Sequence, residues 1–191
     1  MEFAKRKMIN HSDKYIFVAV PKTGSSTINS ILAGHTPKPH LDIMEIKESV
    51  SDDIFSEYFK FGFVRNPWDR AVSLYHRQEG IQLRDRMSFE EFIDYHNYAT
   101  DTCIHPTQKK HQLDFFTNKS GNVIVDFIGR FENLQQDFNV ICDKIGIPIQ
   151  ELPHVNKSQH KHYIEYYTEK TRQIVAKKYA KDIEYFGYEF Q

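Results

Sequence analysis

The sequence predicts a three-layer α/β domain in which a central, mainly parallel sheet is flanked by helices. Three observations carry this: short β-branched and aromatic runs at Tyr15–Val20 and Phe61–Arg65, a polar or proline turn directly after each, and helical periodicity beyond each turn. Strands separated by helical segments pair in parallel through crossovers, which covers them on both faces. With 191 residues and 40% hydrophobic content, the chain can bury one core and is short for two, so a single domain over 1–191 is expected.

The elements follow in order. The first apolar run, Ile16–Val20, is far shorter than a signal-peptide core or a membrane span, so a cytoplasmic location without a transmembrane segment is expected. Tyr15–Val20 stops at Pro21 and reads as a central strand. Ile28, Ile31 and Leu32 recur at helical spacing, so a helix begins near Ser25 or Ser26. The two prolines and the glycine of residues 34–40 mark a loop. Phe61–Arg65 is a second strand, followed by Asn66 as a helix N-cap and Pro67 at the first helical position, where its missing N–H costs nothing. At about 100° per residue, Trp68, Ala71, Val72 and Tyr75 share one face of that helix, with Arg70, Ser73 and Arg77 opposite.

Ser88 and Glu91 form a capping-box signature for a helix through about Tyr95. Val123–Val125 or Phe127–Gly129 supplies a third strand. Phe131, Leu134, Phe138, Ile141, Cys142 and Ile145 stripe a helix closed by Gly146, and Thr168 caps a last helix through about Ala180. Trp68 belongs to a core stripe.

Charge and cysteine content exclude several classes. A net charge of -1 with both signs interspersed offers no general attraction for nucleic acid or anionic membrane, so any anion site is local. Cys103 and Cys142 lack a CxxC partner and read as ordinary thiols of a reducing compartment. His154, His160 and His162 lack zinc-ligand spacing, and no metal is assigned.

Ligands of parallel α/β sheets bind beyond the carboxyl ends of the strands, which places Pro21–Thr27, Arg65 and Arg130 on one edge. In Pro21-Lys22-Thr23-Gly24-Ser25-Ser26-Thr27, Gly24 allows close approach of backbone to an anion, the next amides open a helix, and Lys22 and the hydroxyls add donors. This P-loop-like turn lacks the GxxxxGK[ST] order of nucleoside triphosphatases. A polar turn with a serine cap is the competing description. Arg65 ends a strand and Ser73 lies two turns into the next helix, a pair suited to one phosphate; an ion pair of Arg65 with Asp69 is the alternative.

With those elements in place, the sequence resembles the sulfotransferases that use 3′-phosphoadenosine 5′-phosphosulfate (PAPS), in the family of carbohydrate O-sulfotransferases and small bacterial relatives. VPKTGSST is similar to the family's 5′-phosphosulfate loop and FGFVRNPWDRAVSLY to its 3′-phosphate motif. The likeness continues through HPTQ at 105–108, VDFIGRFENLQQDF at 125–138, LPHVNKS at 152–158 and YYTEKTRQIVAKKYAKDIEYFGYEF. It spans nearly the whole chain.

The resemblance implies that Lys22 contacts the bridging oxygen of the donor while Pro21, Thr23, Gly24, Ser25, Ser26 and Thr27 cradle its 5′-phosphate. It further implies that Arg65 and Ser73 hold the 3′-phosphate, with Lys157 or Ser158 approaching the same nucleotide. The implied product is 3′-phosphoadenosine 5′-phosphate (PAP), with no metal required and a hydroxyl of a carbohydrate as acceptor. Among the ten histidines, His40 is the first candidate for the base and His105 the second, with His35 near the first. A variant P-loop nucleotide kinase and a non-catalytic glycan- or nucleotide-binding protein are the competing functions.

Overall fold

The computed structural model describes residues 8–34, 40–76, 85–98, 111–153 and 161–191. The elements run β1 Ile9–Asn10, β2 Tyr15–Val18, α1 Ser25–Leu32, α2 Ile43–Lys47, α3 Asp52–Glu57, β3 Phe59–Val64, α4 Pro67–Tyr75, α5 Phe89–Tyr98, β4 Phe127–Arg130, α6 Leu134–Ile145, α7 Glu169–Lys178 and α8 Ala180–Phe186. Short 3₁₀ turns occupy Leu113–Phe115, Phe131–Asn133 and Tyr163–Tyr166. They fall into two compact units, Met1–Val64 with Asp114–Asn156, and Arg65–Leu113 with Lys157–Gln191.

The first unit holds the sheet, in order β1-β2-β3-β4. The β2–β3 and β3–β4 pairs are parallel and only β1 is antiparallel, so the sheet is mainly parallel and flanked by helices, as expected. The register pairs Val18 with Gly62 and Val64 with Arg130, so the carboxyl ends of β2, β3 and β4 share one edge. Aromatic and β-branched side chains build the core: Ile16, Val18, Phe61, Phe63, Phe116 and Phe138 are buried, and Phe17 stacks on Phe61 at 5.2 Å. Gly62 is required by this packing. A Cβ there would lie 2.4 Å from the Phe116 ring and 2.6 Å from the Val18 carbonyl oxygen. At the other end of β3, the buried Lys60 ammonium is balanced by Asp126 at 2.8 Å and the Tyr58 carbonyl at 2.7 Å.

Several boundaries differ from the sequence expectations. The third strand is Phe127–Arg130, with Val123 forming only an isolated bridge to Thr117. Two short helices, α2 and α3, occupy a stretch for which no element was expected; Asp42 with Glu45 and Ser51 cap them. Thr168 does cap α7, which ends at Lys178, and α8 follows immediately rather than the helix ending near Ala180.

The second unit is helical. α4 packs on α5, α7 and the Tyr163–Tyr166 turn, and Phe89 meets Tyr75, Tyr166 and Tyr167 edge-on at 5.0–5.5 Å. Trp68 is buried in the core, as its stripe implied, and donates from Nε1 to the Arg172 carbonyl at 3.0 Å. Arg70 and Ser73, on the side of α4 opposite its apolar stripe, are nonetheless only 2% and 7% exposed, because helices and aromatic rings surround α4 on more than its apolar side. Near it, the fully buried Asp182 carboxylate accepts from the Gln112 amide at 2.8 Å and the Leu113 amide at 3.0 Å.

Burial raises the Asp182 carboxyl above its ordinary pKa of 3.8; the two amides, Arg70 and His111 pull the other way without cancelling it. A carboxyl raised in the folded chain holds its proton more tightly there than when unfolded. Its contribution to stability is therefore fully present below 3.8 and is lost as pH rises through the raised value. Relative to Asp182→Asn, which does not titrate, the wild type gains stability as pH falls from neutral through that window. Urea unfolding of both proteins across a pH series checks this, and a pH-independent difference contradicts it.

Candidate active site

At the carboxyl edge of the sheet, β2 gives way to the Pro21–Thr27 turn. The turn is pinned at its root, where the Thr23 hydroxyl, fully buried, donates to the Val20 carbonyl at 3.0 Å. It then takes two left-handed residues in quick succession, Lys22 at φ 67° and Gly24 at φ 79°. Gly24 suits this conformation and the space around it: a Cβ would sit 3.0 Å from Leu134 Cδ2 and 3.1 Å from Phe131 Cδ2. Lys22 does not suit it. A left-handed residue with a Cβ costs on the order of 1–2 kcal/mol, so the surrounding turn must impose it.

The turn delivers the chain into α1 with the backbone itself as its cap. Gly24 stands at the N-cap position, no side chain caps the helix, and no acidic residue lies in its first turn. The serine cap weighed from sequence is therefore absent. By contrast, α2, α3, α4 and α7 open on Asp42, Ser51, Asn66 and Thr168 side chains. The first helical bond of α1 runs from the Ile28 amide to the Gly24 carbonyl at 3.1 Å. Amides that precede it have no acceptor within the helix and carry its positive dipole end, an arrangement suited to a phosphate. Pro21, Ser25 and Thr27 are buried in this turn, Lys22 is half-buried and Ser26 exposed.

His40 belongs to the same unit and is tied to the same strand end. Its Nδ1 lies 2.6 Å from the Ala19 carbonyl oxygen. A carbonyl only accepts, so Nδ1 carries the proton and the neutral ring has its lone pair on Nε2. In that tautomer Nε2 is the nitrogen able to take up a proton, and the anchor lies two residues before Pro21.

In the second unit, Arg65 is the residue after β3 and is buried. Its Nε donates to Asp69 Oδ2 at 2.8 Å, so the ion pair weighed as an alternative is formed. Such a bond fixes the orientation of the planar guanidinium. Ser73 lies on α4 and is buried. Gln112, which has no counterpart in the sequence argument, clamps Arg65: the Arg65 amide donates to Gln112 Oε1 at 2.9 Å, and Gln112 Nε2 donates to the Arg65 carbonyl at 2.8 Å. A single glutamine far along the chain carries no spacing signal, so neither it nor Asp182 was findable from sequence.

Arg130 ends β4 on the edge shared with β2, and its amide donates to Asp137 Oδ2 at 2.6 Å. His105, Lys157 and Ser158, with His35, lie outside the described residues. Cys142 is a buried free thiol whose pKa burial raises, consistent with an ordinary core cysteine. Among the described residues, no helix is long and apolar enough to cross a membrane.

Comparison with known proteins adds the family. An uncharacterized protein of Archaeoglobus fulgidus is 32% identical over 118 residues, 62% of this chain and 92% of that protein. The crystal structure of mouse sulfotransferase SULT7A1 complexed with PAP matches in fold with a TM-score of 0.52 at 14% identity, covering 95% of this chain and 88% of that one. A family model described as the sulfotransferase family matches residues 5–189, across both units and every motif considered above, and on that extent the chain belongs to the sulfotransferase family.

Proposed function

We propose that the chain transfers a sulfuryl group from PAPS to a hydroxyl of a carbohydrate, with both units acting as parts of a single sulfotransferase domain. The observation that carries this reading is the Lys22–Gly24 turn, in which a lysine with a left-handed backbone stands two residues before the glycine that caps α1 at the sheet edge. The donor suits that turn: its 5′-phosphosulfate is a compact anion, and the glycine leaves room for close backbone approach where a Cβ would crowd Leu134 and Phe131. The PAP of the mouse sulfotransferase structure supports the same nucleotide class.

The donor supplies the sulfuryl group, and PAP leaves. Within this chain, the amides opening α1 and the hydroxyls of the turn bind the 5′-phosphate, and Lys22 faces the bridging oxygen. As the sulfur–oxygen bond to that phosphate breaks, negative charge collects on the oxygen, and the ammonium stabilises it. The acceptor oxygen forms its new bond to sulfur on the opposite side, and its proton passes to His40 Nε2, the nitrogen left basic by the Ala19 contact. Arg65 and Ser73 bind the 3′-phosphate, with Asp69 fixing the guanidinium through Nε. The carbohydrate acceptor rests on family resemblance.

The function is tested by incubating the protein with PAPS and a panel of sugars and small alcohols and looking by mass for one added sulfuryl group. Thermal stabilisation by ADP with Mg²⁺ but not by PAP overturns the reading in favour of a nucleotide kinase.

Lys22→Ala and Lys22→Gly both lower kcat strongly while leaving PAP affinity within a few fold. They differ in stability: the glycine variant unfolds with about 1 kcal/mol more resistance than the alanine variant, because it relieves the left-handed strain at that residue. Equal stability, or unchanged turnover, contradicts the assignment. Arg65→Ala weakens PAP binding by about tenfold or more and adenosine 5′-phosphate binding little, as titration calorimetry with the two ligands checks. For His40→Ala, transfer falls by a factor on the order of 10²–10⁴ with PAP binding retained; full activity removes His40 from the base role.

A further inference from the structure

We propose that Gln112 is a positioning residue for recognition of the donor's 3′-phosphate, acting by holding the backbone of Arg65 from both sides. The inference rests on the donor reading above and adds to it a residue that no motif marks.

Arg65 stands one residue past the end of β3, where its amide and carbonyl have left the ladder that holds Val64 opposite Arg130. Buried backbone groups in that position need partners. The Gln112 side chain supplies both, accepting from the Arg65 amide at 2.9 Å and donating to its carbonyl at 2.8 Å, as the peptide group of a neighbouring strand would. A primary amide of this length offers an acceptor and a donor on one planar group; an ionised glutamate lacks the donor, methionine lacks both, and asparagine is a methylene shorter.

The clamp is itself fixed. Gln112 is fully buried, and its amide and that of Leu113 donate to the two oxygens of Asp182, also fully buried, on α8. A chain of hydrogen bonds therefore runs from α8 through Gln112 to the Arg65 backbone, while Asp69 holds the Arg65 side chain at Nε. Arginine otherwise carries about 2 kcal/mol of rotamer freedom, and a guanidinium set in advance loses less of it on meeting a phosphate. Every bond in this chain lies within the second unit.

A purely structural role would make Gln112 matter for stability alone, and the ratio of two affinities separates the possibilities. PAP and adenosine 5′-phosphate differ only in the 3′-phosphate. Gln112→Met, similar in length and lacking both hydrogen bonds, is expected to cut PAP affinity by about tenfold while changing adenosine 5′-phosphate affinity less than about threefold. Should that variant fail to fold, Gln112→Asn, which keeps the primary amide but is a methylene short of the Arg65 backbone groups, decides on the same ratio. A variant with a lowered Tm and the wild-type ratio overturns the inference and leaves the donor reading standing. A wild type that binds the two nucleotides equally overturns the donor reading, and the inference with it.

Discussion

The parallel register of β2, β3 and β4 is the constraint on which the first unit depends. It sets Val18 beside Gly62 and Val64 beside Arg130, so three strands end together and hand their chains on from one edge. Gly62 makes the register possible, because the backbone of β3 lies too close to Phe116 and the Val18 carbonyl for any side chain to intervene. A shift by one residue would turn Phe61 and Phe63 to the opposite face and bring a phenylalanine to the glycine position. Within this unit, the turn after β2 and the arginine closing β4 both occur where the ladder runs out.

The turn after β2 shows how local strain and chemistry are linked. A chain leaving a buried strand for a helix that starts within a few residues must reverse tightly, and Lys22 and Gly24 take the left-handed conformations that do so. Glycine at the second position follows from sterics. Lysine at the first does not; asparagine or glycine would occupy it at lower cost. Lysine stands there against its own backbone preference, and the helix that follows, α1, opens on Gly24 without a side-chain cap. His40 is tied to the same strand end, with its tautomer dictated by the Ala19 carbonyl.

What was legible in the sequence was what short-range physics determines. The strand runs, the Asn66–Pro67 helix start, the Ser88–Glu91 capping box and the Gly146 stop each depend on a few neighbouring residues, and each is present. The short helices α2 and α3 escaped because too few apolar residues lie in them to show a period, although the Asp42–Glu45 cap was in plain view. Burial of Arg70 and Ser73 escaped for another reason. A helical wheel reports which side chains share a face and says nothing of how many faces are covered, and α4 is enclosed by α5, α7 and the Tyr163–Tyr166 turn.

The Arg65 environment marks the limit more sharply. The ion pair to Asp69 is four residues away and was foreseeable, whereas the partners of the Arg65 backbone lie on Gln112, and those of Gln112 on Asp182. Such links follow from tertiary placement and leave no periodicity behind. They also change what the ion pair means. Arg65 with Asp69 alone is a common helix-start contact, one that would equally hold a surface arginine in place. An arginine whose amide and carbonyl are held by a fully buried glutamine and whose Nε is held by Asp69 is fixed in backbone and side chain alike, which a surface salt bridge that happens to close is not.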